Sequence, residues 1–165
     1  MRIIVKIITI AYIPTISPIE VYNKDELKLG IYLKDIYMTG YVANIDKETI
    51  ENNNFRKVLY TGAHAQLVVM SLGVGENIGK EVHQNVDQFF RIEDGMGKVI
   101  INGEEHSFEK DFAIIVPAGA EHDLINTGTT VLKLYTIYSP ANHPEGTIHK
   151  TKEEAEAYEL AKHGK

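Results

Sequence analysis

From Tyr41 onward the apolar residues gather into runs of strand length rather than recurring at helical spacing. The segments QLVVMSL, QFFRIED, KVIIN, FAIIVP and VLKLYTIYS are broken by Gly73, Gly75, Gly95, Gly97, Gly103, Gly119 and Gly128. Short strands at regular intervals with turn residues between them predict an all-β barrel or sandwich. The Asn102-Gly103 pair predicts a type I′ hairpin, because that turn needs positive φ at both central residues. Gly95-Met96-Gly97 reads as a second tight reversal. Near the C-terminus, Thr151-Lys152-Glu153-Glu154 has the form of a capping box: the threonine hydroxyl accepts from the backbone while Glu154 reaches back to the cap amide. A helix over AEAYELAKH is expected to follow, packed outside the barrel or fraying into solvent.

Composition narrows the partners. A chain of 165 residues, 44% apolar and 24% charged, suits one soluble domain with one core. Its net charge of -6 repels nucleic-acid backbones and anionic membranes at long range, which leaves small molecules as the expected ligands. Without cysteine there is neither a disulfide framework nor a thiolate site, so a transition metal would rest on imidazole and oxygen donors. The opening MRIIVKIITIAYIPTISP is apolar after Arg2, but Lys6 and Pro14 interrupt it and no small-x-small cleavage pattern follows. Neither a cleaved signal nor a spanning helix is expected there, and the chain reads as cytoplasmic.

Two stretches carry candidate chemistry. In the first, Gly75, Glu81, His83, Gln88 and Gly95 keep the intervals of G-x5-H-x-H-x(3,4)-E-x6-G; in the second, Asp111, Pro117, Gly119, His122 and Asn126 keep those of G-x5-P-x-G-x2-H-x3-N. The chain thereby resembles the small single-domain cupins, with fifteen residues between the motifs. The resemblance implies a double-stranded β-helix barrel, jelly-roll-like, with a metal inside it. By register with the family's three histidines and one glutamate, Glu81 stands at the first histidine and Gln88 at the glutamate, while His83 and His122 hold the other two histidines. The implied metal ligands are Glu81, His83, Gln88 and His122, a set that keeps one carboxylate but moves it. Such donors suit Mn, Fe, Co, Ni or Zn, and Gln88, a neutral amide, is the weakest of them.

Side-chain alternation agrees with that register. Glu81 and His83 share one face of a strand, Gln88 shares a face with Phe90 and Ile92, and His122 shares one with Leu124 and Asn126. Asp87 and Glu121 fall on the opposite faces, the first as an outward turn residue and the second beside the mouth. His64, His106 and His163 read as surface residues. His143 and His149, in SPANHPEGTIHK, read as solvated loop residues, with folding over the opening to meet a substrate as the alternative. Phe89, Phe90, Tyr135 and Tyr138 read as core, wall or interface. Proteins resembling this chain typically begin near Met38, so the expected organisation is a doubtful extension over 1–37, a barrel over 38–150 and a helix with tail over 151–165. The extension is read as an artefact of an upstream start codon.

Three functions fit such a site. A metal-dependent isomerase, similar in its barrel to mannose-6-phosphate isomerases, would use Glu81, if free of the metal, as a catalytic base moving a proton between carbons. A dioxygenase would use two imidazoles and one carboxylate as the facial triad of non-haem iron. A binding module would hold a small ligand without turnover. By analogy with cupins, which commonly pair through barrel strands, a homodimer is expected to cover exposed strand edges.

Overall fold

The computed structural model describes residues 40–163, with side chains to residue 161. The expectations for residues 1–37 and for the His163 side chain lie outside the described residues. Alternating strand sequence becomes two antiparallel sheets, with elements α1 (Ile45–Glu51), β1 (Arg56–Thr61), β2 (Gln66–Leu72), β3 (Glu81–Val82), β4 (Asp87–Asp94) and β5 (Met96–Ile101). There follow β6 (Glu104–Glu109), β7 (Ala113–Val116), β8 (Glu121–Asn126), β9 (Leu132–Ser139), β10 (Ile148–His149) and α2 (Lys152–His163). A six-stranded sheet runs β10-β1-β2-β9-β4-β7 and a four-stranded sheet runs β3-β8-β5-β6. Together they form a jelly roll, an all-β architecture as the strand pattern predicts and of the kind that the resemblance implies.

The core lies between the sheets because every second residue of the central strands turns inward. Val68, Met70 and Leu72 of β2, Phe90 and Ile92 of β4, and Leu132 and Leu134 of β9 face Val99, Phe108 and Leu124 of the other sheet. Each such side chain contributes about 1.5–3 kcal/mol by leaving water. Val69 has the opposite parity and is nonetheless fully buried. The reason is α1, which packs against β2, β4 and β9 from outside. That helix was not expected, since its seven residues IDKETIE carry no apolar stripe. Its signal was at the N-terminus: the Asn44 side chain accepts from Lys47 N at 3.1 Å, and Asp46 and Glu48 fill the first turn.

Two turns show what the glycines do. Asn102 and Gly103 take φ of 50° and 86°, and β5 and β6 pair from Ile101↔Glu104 outward, the expected type I′ hairpin. Gly95-Met96-Gly97, in contrast, is not a reversal. β4 pairs with β7 and β9, whereas β5 pairs with β6 and β8, so Gly95, at φ 91°, passes the chain from one sheet to the other. Spacing alone does not distinguish a hairpin from a sheet-switching corner.

The second motif's opening glycine is Asp111, and it adopts φ 75°, a conformation glycine takes freely. Aspartate is among the residues that tolerate it, and Arg91 holds it there through the Asp111 carboxylate at 2.5 Å and through its carbonyl. Of the two expectations for the C-terminal helix, packing outside the barrel holds and fraying does not. Thr151 Oγ1 accepts from Glu154 N at 3.3 Å, Glu154 accepts from Lys150 N at 2.6 Å, and α2 docks through buried Ala155 and through Tyr158 on the His149 ring. No helix among the described residues is long and apolar enough to cross a membrane.

Candidate metal centre

The first donor pair comes from β3, only two residues long, which is held antiparallel to β8 with Glu81 opposite His122. One residue past the strand, His83 returns to the face of Glu81, and its Nε2 lies 3.0 Å from Glu81 Oε2. The turn before β8 is pinned from both sides. Gly119 N donates to the His83 carbonyl at 2.9 Å, and Ala118 N donates to the Asp87 carboxylate at 2.8 Å. Asp87 is therefore outward-facing, as parity requires, and it fixes the turn that delivers His122. Glu121 faces the other way too, pairing with Lys80 at 3.0 Å.

The donor atoms of Glu81, His83 and His122 all lie within 4.8 Å of one another. Donors of one transition-metal ion stand about 3–4 Å apart, given metal-ligand distances of about 2.0–2.2 Å, so a small side-chain contraction suffices to hold one. His122 is prepared for that role. Its Nδ1 lies 3.1 Å from the Ala120 carbonyl, which can only accept, so Nδ1 carries the proton and Nε2 presents a lone pair. Nε2 in turn stands 3.0 Å from Gln88 Oε1, itself an acceptor. Two arrangements relieve that contact: the amide turns its NH2 inward, or a cation sits against both atoms. The turned amide is also satisfied behind, because Gln88 Nε2 is 3.1 Å from a threonine hydroxyl, Thr136 Oγ1, that can donate or accept.

An apolar and aromatic wall surrounds these groups. The fully buried Tyr138 sets its ring edge-on to His83 at 5.8 Å and to His143 at 5.0 Å, and Phe90 lies 6.3 Å from the His122 ring. Burial first, and the Glu81 charge second, push the Tyr138 hydroxyl far above its ordinary 10, so it stays protonated. Burial above all holds the His122 imidazole below its ordinary 6.5. His149 is lowered as well, by burial first and then by the Arg56 charge.

These two shifts weaken the metal-free protein in acid. Both imidazoles bind protons less readily folded than unfolded, so their contribution to stability is complete above about pH 6.5 and is lost as pH falls toward the folded values. The urea midpoint is expected to be lower at pH 5.5 than at pH 7.5, with a slope of at most about 1.4 kcal/mol per pH unit per histidine. A midpoint rising on acidification would contradict it.

Sequence reasoning missed Arg56, 2% exposed on β1. Its Nη2 lies 3.5 Å from Glu81 Oε1, and its Nη1 lies 3.6 Å from Glu159 Oε1 on α2. A charged residue near the start of a strand reads as exposed, but Arg56 has the parity of the core residue Val58, and that was the available signal. A cavity of about 760 Å³ opens beside Glu81 and His83, with Arg56, Asn142, Lys152 and Glu159 among its lining residues. His143 and His149 are not solvated loop residues: both are buried, the first against Tyr138 and the second in β10 opposite Arg56. Neither lines the cavity. His64 and His106 are exposed, as expected.

Known proteins match this geometry. The family profile for the cupin domain matches residues 68–138. YrkC of Bacillus subtilis (strain 168), described as uncharacterized, is 52% identical over 136 residues, which cover 79% of this chain and 73% of the relative. An uncharacterized protein of Acanthamoeba polyphaga mimivirus is 44% identical over 113 residues, 66% of this chain and 70% of its own. The crystal structure of BH2720 from Bacillus halodurans is 44% identical and superposes with a TM-score of 0.72, covering 73% of this chain and 96% of that one.

Proposed function

Since the chain belongs to the cupin family, we propose that Glu81, His83 and His122 hold one divalent transition-metal ion that meets a small molecule in the adjoining cavity. The observation that carries this reading is His122: its Nδ1 is committed to the Ala120 carbonyl, so the Nε2 lone pair converges on Glu81 and His83. Gln88, beside Nε2, either completes the donor set or holds a water against it. An ion bound there supplies Lewis acidity or, if it is iron, a redox centre. The chain's own part is to orient three donors, shield them behind Tyr138 and Phe90, and admit the ligand from the side of α2.

Among reactions, the donor composition supports oxygen chemistry: two imidazoles and one carboxylate are the set of non-haem iron oxygenases. Proton transfer by Glu81, as in an isomerase, has less support. One carboxylate oxygen lies 3.5 Å from Arg56 and the other 3.0 Å from His83, which suits a fixed donor better than a mobile base.

Elemental analysis tests the reading. Purified protein, supplemented with Mn, Fe, Co, Ni or Zn in turn, is expected to retain about one ion per chain. Substrate-dependent oxygen uptake by the iron form would support the oxygenase. Failure to retain any ion would overturn the metal site and leave a ligand-binding barrel.

A further inference from the structure

We propose that Arg56 recognises the carboxylate of a small, singly charged ligand entering the cavity beside Glu81 and His83. A guanidinium presents five N–H donors and keeps its charge throughout the accessible pH range. Here it is 2% exposed and lines the cavity, yet Nε and Nη1 have no hydrogen-bond partner. Its two ionic neighbours, Glu81 and Glu159, stand at 3.5 and 3.6 Å, at or past the outer edge of hydrogen-bond length. A buried charge left with open donors is costly, and a planar two-oxygen acceptor matches the fork of an arginine.

The neighbours determine which acceptor fits. Glu159 reaches Arg56 from α2, which walls the cavity, and one third of its side chain is already open to water, at 33%. A ligand carboxylate can compete there with Glu159, which stands 3.6 Å from Arg56 Nη1 and 4.0 Å from His143 Nδ1. The lining cations Arg56, Lys80 and Lys152 are matched by Glu81, Glu156 and Glu159. A divalent ion among Glu81, His83 and His122 would leave positive charge in excess and so select an anion. Lys80 is occupied by Glu121 at 3.0 Å, and Lys152 by the Asn77 side chain. One guanidinium rather than a cluster of cations remains, which fits a monoanionic carboxylate and not a phosphate. Only the charge excess rests on the metal reading; the open donors of Arg56 do not.

Calorimetric titration of the full chain with pyruvate tests the assignment, with uncharged methyl pyruvate and inorganic phosphate in parallel. Saturable binding of pyruvate alone is expected, weakened at least about tenfold in Arg56→Gln. Should Arg56→Gln fail to fold, Glu159→Gln on the partly exposed face of α2 remains decisive: removing the competing carboxylate is expected to tighten pyruvate binding severalfold. Preference for phosphate, no pyruvate binding, or pyruvate binding unchanged in the variants would overturn the proposal. A wild-type protein that retains no metal but binds pyruvate in an Arg56-dependent way would overturn the metal site and support this one.

Discussion

Replacing either His83 or His122 by alanine is expected to abolish stoichiometric metal binding while the barrel stays folded. Each change removes one of three donors that lie within 4.8 Å of one another, and two remaining donors hold a transition metal weakly. Affinity should fall by more than about a hundredfold, beyond the ten- to hundredfold typical of lost outer-shell contacts. The two variants differ in stability. His83 lies at the cavity wall, so its loss should be mild, whereas His122 is 2% exposed and its removal strands Gln88 and leaves a void, costing about 2–4 kcal/mol. Elemental analysis and thermal unfolding separate the two effects. Both variants retaining one ion per chain at wild-type affinity would show that the donors have been misassigned.

Gly97→Ala is expected to be the most damaging single methyl addition to the barrel. A Cβ at that position would stand 2.2 Å from the Ile125 carbonyl oxygen and 2.6 Å from the Phe108 ring. Gly97 pairs with Phe108 on one side and Asn126 on the other, so neither neighbour can withdraw without breaking sheet register. A cost of about 3 kcal/mol or more follows, lowering the melting temperature by about 10 °C. Gly103→Ala is the control. It has open space around the added carbon and only its φ of 86° to oppose it, a cost of about 1 kcal/mol. Equal melting temperatures for the two variants would contradict the packing argument.

Legibility followed the range of the interaction. The inward set Glu81 and His83, the inward set His122, Leu124 and Asn126, and the outward Asp87 all follow from alternation along a strand, and the structure has each on its expected side. The Asn102-Gly103 hairpin was equally local. Helix α1 was missed because it is short and polar, and its capping residue was the one signal it offered. Gly95 was misread because the same turn residues serve a hairpin and a corner between sheets. Arg56 was passed over because RKVLYT was not among the segments read as strands, so its parity with Val58 went unused.

The sequence by itself determined five of the strands and the all-β class, because a period of two residues is a property of the chain alone, and its motif intervals carried the resemblance that implied a site of Glu81, His83 and His122. Tertiary structure decided what surrounds those donors. It set Arg56 between Glu81 and Glu159, closed one side of the cavity with α2, committed His122 Nδ1 to the Ala120 carbonyl and left Gln88 facing Nε2. The physical reason is separation along the chain. Arg56 and Glu159 meet only after β10 has paired with β1 and turned the C-terminal helix back over the barrel, and no local pattern encodes that contact.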